Sequence, residues 1–317
     1  MASLKNIKNR INSIANTQKI TKAMKMVAAA KVKKAEAMVK ASRPFTWYLF
    51  DVFSQVHNKL GTLKFEPIQT QRALDNYVEL LKMRDIKTTA LLVISSNKGL
   101  AGAYSANIAR YTIEKIKDLK NKGQKVVVYL IGQKAFASLK NLQTTLDFEI
   151  KEIYTTILDD LNPMDALVVS EDLAEAYVNK EIDKIELITT RYQNMMTYKI
   201  EDWVLLPALE AKEDEEILKK FHTEENVTKT SNADMIFEPN PVLILAKIVP
   251  MYITNVIYQA LLEANASELA SRMTAMSAAT KSAEDMIKTL TVQYNKARQE
   301  KITQELTEVI SGANALR

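Results

Sequence analysis

LEANASELASRMTAMSAATKSAEDMIKTLTVQYNKA, residues Leu262 to Ala297, holds one apolar seam for about five heptads. Leu262, Ala266, Leu269, Met273, Met276, Thr280, Ala283, Ile287, Leu290, Tyr294 and Ala297 recur at alternating spacings of four and three. A single narrow seam of period 3.5 is what a helix needs when its partner is another helix, because burial in a globular core calls for a wider stripe. The spacing predicts a coiled-coil strand. Beyond Ala297 the helical pattern persists: Lys301 to Ile310 has no Gly or Pro, and Ile302, Leu306, Val309 and Ile310 keep helical spacing. The helix is expected to outrun its partner.

The other end of the chain supplies that partner. From about Ser3 to His57 there is one proline, Pro44, and no glycine. Leu4, Ile7, Ile11 and Ile14 open with three-four spacing, and Ile20, Met24 and Val27 are expected to resume it after a polar break at Asn16, Thr17 and Gln18. If both helices leave the same middle domain, at about His57 and about Val242, an antiparallel pair sets side by side residues whose numbers add up to roughly 297. Met24 is then expected near Arg272 or Met273, and the last ~20 residues extend about 30 Å past the N-terminus as a lone helix. Pro44 is a candidate kink, and Pro250 is either a kink or the first turn of the last helix.

Charge is uneven. Met1 to Arg43 carries eleven Lys or Arg residues against one acid, Glu36, although the whole chain has a net charge of only +5. Such a helix suits an acidic partner, whether nucleic acid, anionic lipid or acidic protein loops; a solvated lysine face is the plainer alternative.

Composition excludes several chemistries. The absence of cysteine rules out disulfides and thiol nucleophiles, and His57 and His222 are the only imidazoles, in separate segments, so triad or metal chemistry has little to work with. No run approaches ~18 uninterrupted apolar residues, and the N-terminus lacks an apolar signal region, so neither membrane insertion nor a secretory signal is expected.

The middle of the chain reads as α/β. Strand-like runs at Thr88 to Ser96, Lys125 to Ile131, Phe148 to Tyr154, Lys184 to Arg191 and Thr197 to Leu206 are interspersed with helical stretches at Ala106 to Lys122, Ala135 to Leu139 and Met164 to Asn179. A largely parallel sheet covered on both faces is expected. Glu210 to Phe237 turns acidic and then polar, as a surface excursion would. The organisation is thus 1–60, an N-terminal coiled-coil helix; 61–240, a globular Rossmann-like α/β domain; and 241–317, a C-terminal coiled-coil helix with a protruding tip.

A strand, a Gly-containing loop (Asn97 to Gly102) and a helix in succession raise the possibility of nucleotide binding. The loop has neither the long phosphate cradle ending in Gly-Lys-Ser/Thr nor three spaced glycines, so a tight structural turn is favoured and no cofactor is expected.

NTQKITKAMKMVAAA (Asn16 to Ala30) and YNKARQEKITQELTEVISGA (Tyr294 to Ala313) closely resemble the two signature ends of the gamma subunit of F-type ATP synthase, the central shaft of the F1 motor. SSNKGLAGAYSANI at Ser95, IGQKAF at Ile131 and FEPNP at Phe237 resemble the same family. Segments about Gly61 to Lys87 and Glu210 to Met235 look longer than its usual pattern, and Ala101 and Lys25 stand where Cys and Glu are usual. The resemblance implies an antiparallel coiled coil with a Rossmann-like domain at its foot. It implies a non-catalytic shaft inside an alpha3beta3 ring, with nucleotide chemistry on the beta subunits. Epsilon and the membrane c-ring are the implied partners of the foot, at the cytoplasmic face of a bacterial plasma membrane.

The same resemblance assigns roles. Arg298 and Gln299 would form a catch on one beta subunit. Lys19, Lys22, Met24, Lys25, Lys31, Lys33 and Arg272 would meet the acidic beta levers. Leu306, Val309, Ile310, Ala313 and Leu316 would turn in an apolar bearing; as an exposed apolar patch they call for a partner in any case. Three alternatives remain: a shaft of a related motor not coupled to protons, a basic coiled-coil nucleic-acid binder, and a nucleotide-binding enzyme on the middle domain. The basic face lacks the stacking aromatics of a nucleic-acid binder, since Phe45, Trp47 and Tyr48 lie beyond it.

Overall fold

The computed structural model describes residues 4–60, 72–158, 160–208, 238 and 241–315. The excursion expected at Glu210 to Phe237, the start of the segment at Gly61, the imidazole of His57 and all of His222 lie outside the described residues. In chain order the elements are α1 (Leu4–Leu60), a 3-10 turn (Ala73–Asp75), α2 (Tyr77–Leu81), β1 (Thr88–Ile94), α3 (Tyr104–Asn121), β2 (Lys125–Ile131) and α4 (Gln133–Leu139). After a second 3-10 turn (Lys140–Leu142) come α5 (Gln143–Leu146), β3 (Glu149–Tyr154), α6 (Pro163–Val178), β4 (Lys184–Tyr192), β5 (Tyr198–Leu206) and α7 (Pro241–Ala315). The chain divides into two compact units, residues 31–271 and residues 1–30 with 272–317.

The larger unit is built on a five-stranded sheet of order β3-β2-β1-β4-β5. β1 pairs in parallel with β2 and β4, β2 with β3, and β5 closes the edge antiparallel to β4. Both faces of β1 are buried, and its side chains alternate as a pleat requires: Ala90, Leu92 and Ile94 enter one core, Leu91 and Val93 the other. α3 and α4 cover the second face through Tyr104, Ile108, Ile116, Ala135 and Leu139. α2 and α6 cover the first, joined by Phe53 and Val56 of α1 and by Leu245, Val249, Ile253, Ile257 and Leu261 of α7. Phe53 and Tyr252 stack with ring centroids 5.3 Å apart. α6 starts where Asn162 leaves the helix region and its side chain accepts from Met164 N at 3.0 Å, with Pro163 in the first turn.

Within this unit the two long helices also pack on each other. Val32, Ala35 and Val39 are buried with Leu262, Ala266, Leu269 and Ala270. Asn255 Nδ2 donates to Thr46 Oγ1 at 2.8 Å.

In the smaller unit the expected seam positions are all at least half-buried. Met276 and Ala283 are buried, Met273, Thr280, Ile287, Leu290, Tyr294 and Ala297 are half-buried, and residues 298–312 are all exposed. Thr280 and Thr21 hydroxyls lie 2.9 Å apart. On the partner helix the protected series is Leu4, Ile7, Ile11, Ile14, Gln18, Thr21, Met24 and Ala28.

That series corrects one expectation. Ile20 and Val27 do not enter the seam; they are 60% and 57% exposed, while Gln18, Thr21 and Ala28 hold the inner positions. The three-four spacing from Ile14 runs through Gln18 and Thr21, so what looked like a polar break is a polar layer of the seam, which then steps three residues to Met24 and four to Ala28. The register is also displaced. In each unit the hydrogen-bonded partners, Thr21 with Thr280 and Thr46 with Asn255, add up to about 300 rather than 297, roughly one helical turn. α1 runs to Leu60 and α7 begins at Pro241, and these ends set the sum. Met24 is therefore level with about Ser277, one turn from Met273. Pro250 lies inside α7, whose first turn is at Pro241, and Pro44 lies inside α1, so neither proline ends its helix.

α7 contains a window apolar enough, by length and composition, to cross a bilayer, with mean hydropathy 1.5. Uninterrupted runs do not reveal it, because Lys247, Thr254, Asn255 and Gln259 break them. Along that stretch Leu245, Val249, Ile253, Ile257 and Leu261 are buried in the core beneath the sheet, while Met251 is exposed.

Candidate functional site

Two places could carry function: the crevice at the C-terminal ends of the strands, and the surface of the terminal helices. A doubly wound sheet binds ligands in the crevice where strand order reverses, here between β1 and β4. That place is filled by α7. Tyr104, just after the β1 loop, donates to the Ala264 carbonyl at 3.0 Å and lies 2.9 Å from Thr190 Oγ1. Thr189 Oγ1 donates to Ala260 O at 3.1 Å, Tyr192 N to Glu263 Oε2 at 2.8 Å, and Ser271 Oγ to Ala101 O at 2.8 Å. Burial of Tyr104 drives its phenol pKa well above the ordinary value, so it remains a neutral donor.

The glycine-containing loop is tied into the same arrangement. Asn97 Nδ2 donates to Thr155 O at 2.6 Å and its Oδ1 accepts from Gln133 N at 3.2 Å, while Ser96 O accepts from Lys134 N at 2.9 Å. Gly132 has φ +100°, and a Cβ there would come within 3.0 Å of the Ser96 backbone. The loop thus contacts α7 through Ala101 O and α4 through Asn97 and Ser96. Among the described residues no group of three His, Cys, Asp or Glu side chains could hold a metal ion.

The helical surface has a different character. Lys19, Lys22 and Lys25 are exposed in the smaller unit, where Met24 and Arg272 are half-buried; Lys31 and Lys33 are exposed in the larger. Arg298 and Gln299 are exposed immediately after the seam ends at Ala297. Leu306, Val309 and Ile310 are 58%, 70% and 60% exposed. Ala313 is helical, but its side chain, like all of Leu316, lies outside the described residues.

Sequence spacing missed three members of this surface. Ile20, Met26 and Val27 stand exposed among the lysines. Continuing the heptad from Ile14 through Gln18 and Thr21, rather than following apolarity, would have placed them outside the seam. A mixed apolar and cationic surface of this kind can bury against a partner that is itself apolar and acidic.

The sequence family described as ATP synthase matches residues 3–316. ATP synthase gamma chains of Gloeothece citriformis and Thermosynechococcus vestitus are each 39% identical over the whole of both chains. A chain of the Euglena gracilis mitochondrial ATP synthase superposes with a TM-score of 0.63 at 18% identity, covering 99% of this chain and 94% of that one. One from the Tetrahymena thermophila mitochondrial ATP synthase, described as central stalk and c-ring, gives 0.54 at 25% identity, covering 82% and 99%. With its length matched end to end by sequence and its fold matched by structure, the chain belongs to the ATP synthase gamma-chain family.

Proposed function

We propose that this chain is the central rotor shaft of an F1-type ATPase or ATP synthase, itself without a catalytic site. The observation that carries this is the exposure of residues 298–312: a helix of about 18 residues beyond its seam, or roughly 27 Å, presents Ile302, Leu306, Val309 and Ile310 to whatever surrounds it. A free helix gains nothing from such a surface, whereas a tip turning in an apolar sleeve gains contact without directional bonds that would resist rotation.

In this proposal the shaft stands inside an alpha3beta3 ring. Its asymmetry presents a different face to each of three equivalent beta sites, and a third of a revolution exchanges the conformation imposed on each, coupling rotation to ATP binding, synthesis and release on the beta subunits. Lys19, Lys22, Lys25, Lys31 and Lys33, with Met24 and Arg272, face the acidic levers; Arg298 and Gln299 form the catch; Leu306, Val309, Ile310, Ala313 and Leu316 form the bearing. The sheet unit meets epsilon and a c-ring, peripheral to the cytoplasmic face of a bacterial membrane.

Co-expression with the alpha and beta subunits of the same source, followed by purification through a tag on this chain, tests the proposal. The chain should bring down both subunits, and Leu306→Glu with Val309→Glu should abolish this while leaving helicity unchanged. Recovery of nucleic acid instead of a ring would overturn it.

A further inference from the structure

Where α1, α7 and β4 converge, one carboxylate holds all three. Glu263 of α7 has a fully buried side chain. Its Oε1 accepts from Arg43 Nε at 2.7 Å and Gln259 Nε2 at 3.0 Å; its Oε2 accepts from Arg43 Nη2 at 3.0 Å and Tyr192 N at 2.8 Å. Arg43 Nη2 also donates to the Tyr192 carbonyl at 2.8 Å. Both lone pairs of each oxygen are used, and the guanidinium meets the carboxylate fork to fork. Tyr192 closes β4, opposite Tyr198 of β5.

Other contacts in this region, from Thr189, Tyr104 and Ser271, hold α7 to the sheet. Arg43 brings in α1. The difference matters mechanically. Apolar surfaces can slide past each other with small loss, whereas a buried carboxylate accepting four directional hydrogen bonds, two of them from the half-buried Arg43, has one low-energy geometry, so shear must break it.

We propose that Glu263, clasped by Arg43 and the Tyr192 backbone, is a torque joint through which load on the sheet unit enters both long helices together. This rests on the rotor-shaft proposal above. Without the joint, load would reach α1 through apolar packing and the single hydrogen bond from Asn255 to Thr46, and the two helices would be less firmly coupled.

The test uses the assembled alpha3beta3 ring with the full chain, the ring fixed to a surface. Since the chain has no cysteine, Met196→Cys, at a hairpin residue 80% exposed, provides one point for attaching a bead. Angular fluctuation of the stalled bead reports torsional stiffness. In Glu263→Gln one oxygen is replaced by a donor, stranding Tyr192 N–H or part of the Arg43 fork; Arg43→Lys keeps the charge and loses the fork. If the joint carries half the stiffness or more, the mean-square angle rises at least about twofold in both variants, and rotation slows under a large bead while unloaded ATP hydrolysis stays at the wild-type rate. Lys40→Ala, which removes an exposed lysine paired with the half-buried Glu36, should change neither. If Glu263→Gln fails to assemble, Arg43→Lys alone decides the matter. Wild-type stiffness and loaded rate in the assembled variants overturn the joint and leave the shaft proposal standing; failure of the wild-type chain to enter the ring overturns both.

Discussion

Met276 and Met286 sit ten residues apart on the same helix, and replacing each with alanine separates seam packing from every other property of that helix. Met276 is 5% exposed and Met286 48%. Alanine has the best helix propensity, so neither change weakens the helix locally. Truncating a buried methionine removes its transfer free energy and leaves a cavity, about 2–5 kcal/mol in well-packed cores. A coiled-coil seam open on both sides belongs toward the low end, about 3 kcal/mol, which is about a hundredfold in the local opening equilibrium. Met286→Ala should stay within about 0.5 kcal/mol. Hydrogen–deuterium exchange of peptides spanning Thr21 and Met276 reads this directly. Protection in both peptides should fall together in Met276→Ala, because opening one strand exposes the other. Loss confined to the α7 peptide, or equal effects from the two methionines, would refute the packing argument.

Other consequences follow from single residues. Gly132→Ala places a Cβ against the Ser96 backbone at φ +100° and should lower stability by about 1–3 kcal/mol in thermal melts, with no effect if the loop can relax. Asp202 is partly buried, which opposes its charge, yet Lys115 and Tyr111 hold its pKa below the ordinary carboxylate value. Its stabilisation is therefore complete above about pH 4 and lost as pH falls through the lower folded value. The melting difference between wild type and Asp202→Asn should shrink on acidification and stay constant between pH 6 and 8. Arg298→Ala should lower the ATPase rate of the assembled ring while leaving the subunit's helicity intact, and an unchanged rate would remove the catch. Replacing Lys19, Lys22 and Lys25 by alanine should weaken ring binding most at low salt, since exposed charges are screened within a Debye length.

The coiled coil was legible because its signal is periodic and one-dimensional: eleven seam positions from Leu262 to Ala297 occupy inner sites, and the seam stops where exposure begins. The sheet was legible because β1 and β2 are continuous apolar runs bounded by turn residues. Less legible was anything requiring distant residues to meet. Gln18 and Thr21 look like an interruption until the partner helix brings Thr280 to Thr21. The alternative role of the Asn97 to Gly102 loop, holding Ser271, depends on a residue 170 positions away. Arg43 resembled one more cation on a basic helix, and only folding sets it against Glu263. Apolarity also misled at Ile20 and Val27, because a surface built for a partner carries apolar residues for the same reason a core does.

Antiparallel pairing of the two ends is the claim on which the shaft depends, and cysteine cross-linking tests it most directly in a chain with no cysteine of its own. Thr21→Cys with Thr280→Cys places two thiols where the hydroxyls are 2.9 Å apart, and mild oxidation should join them rapidly and nearly completely. Thr21→Cys with Thr291→Cys, about 16 Å further along the helix, should remain reduced. Equal cross-linking of the two pairs, or none in the first, would contradict the account.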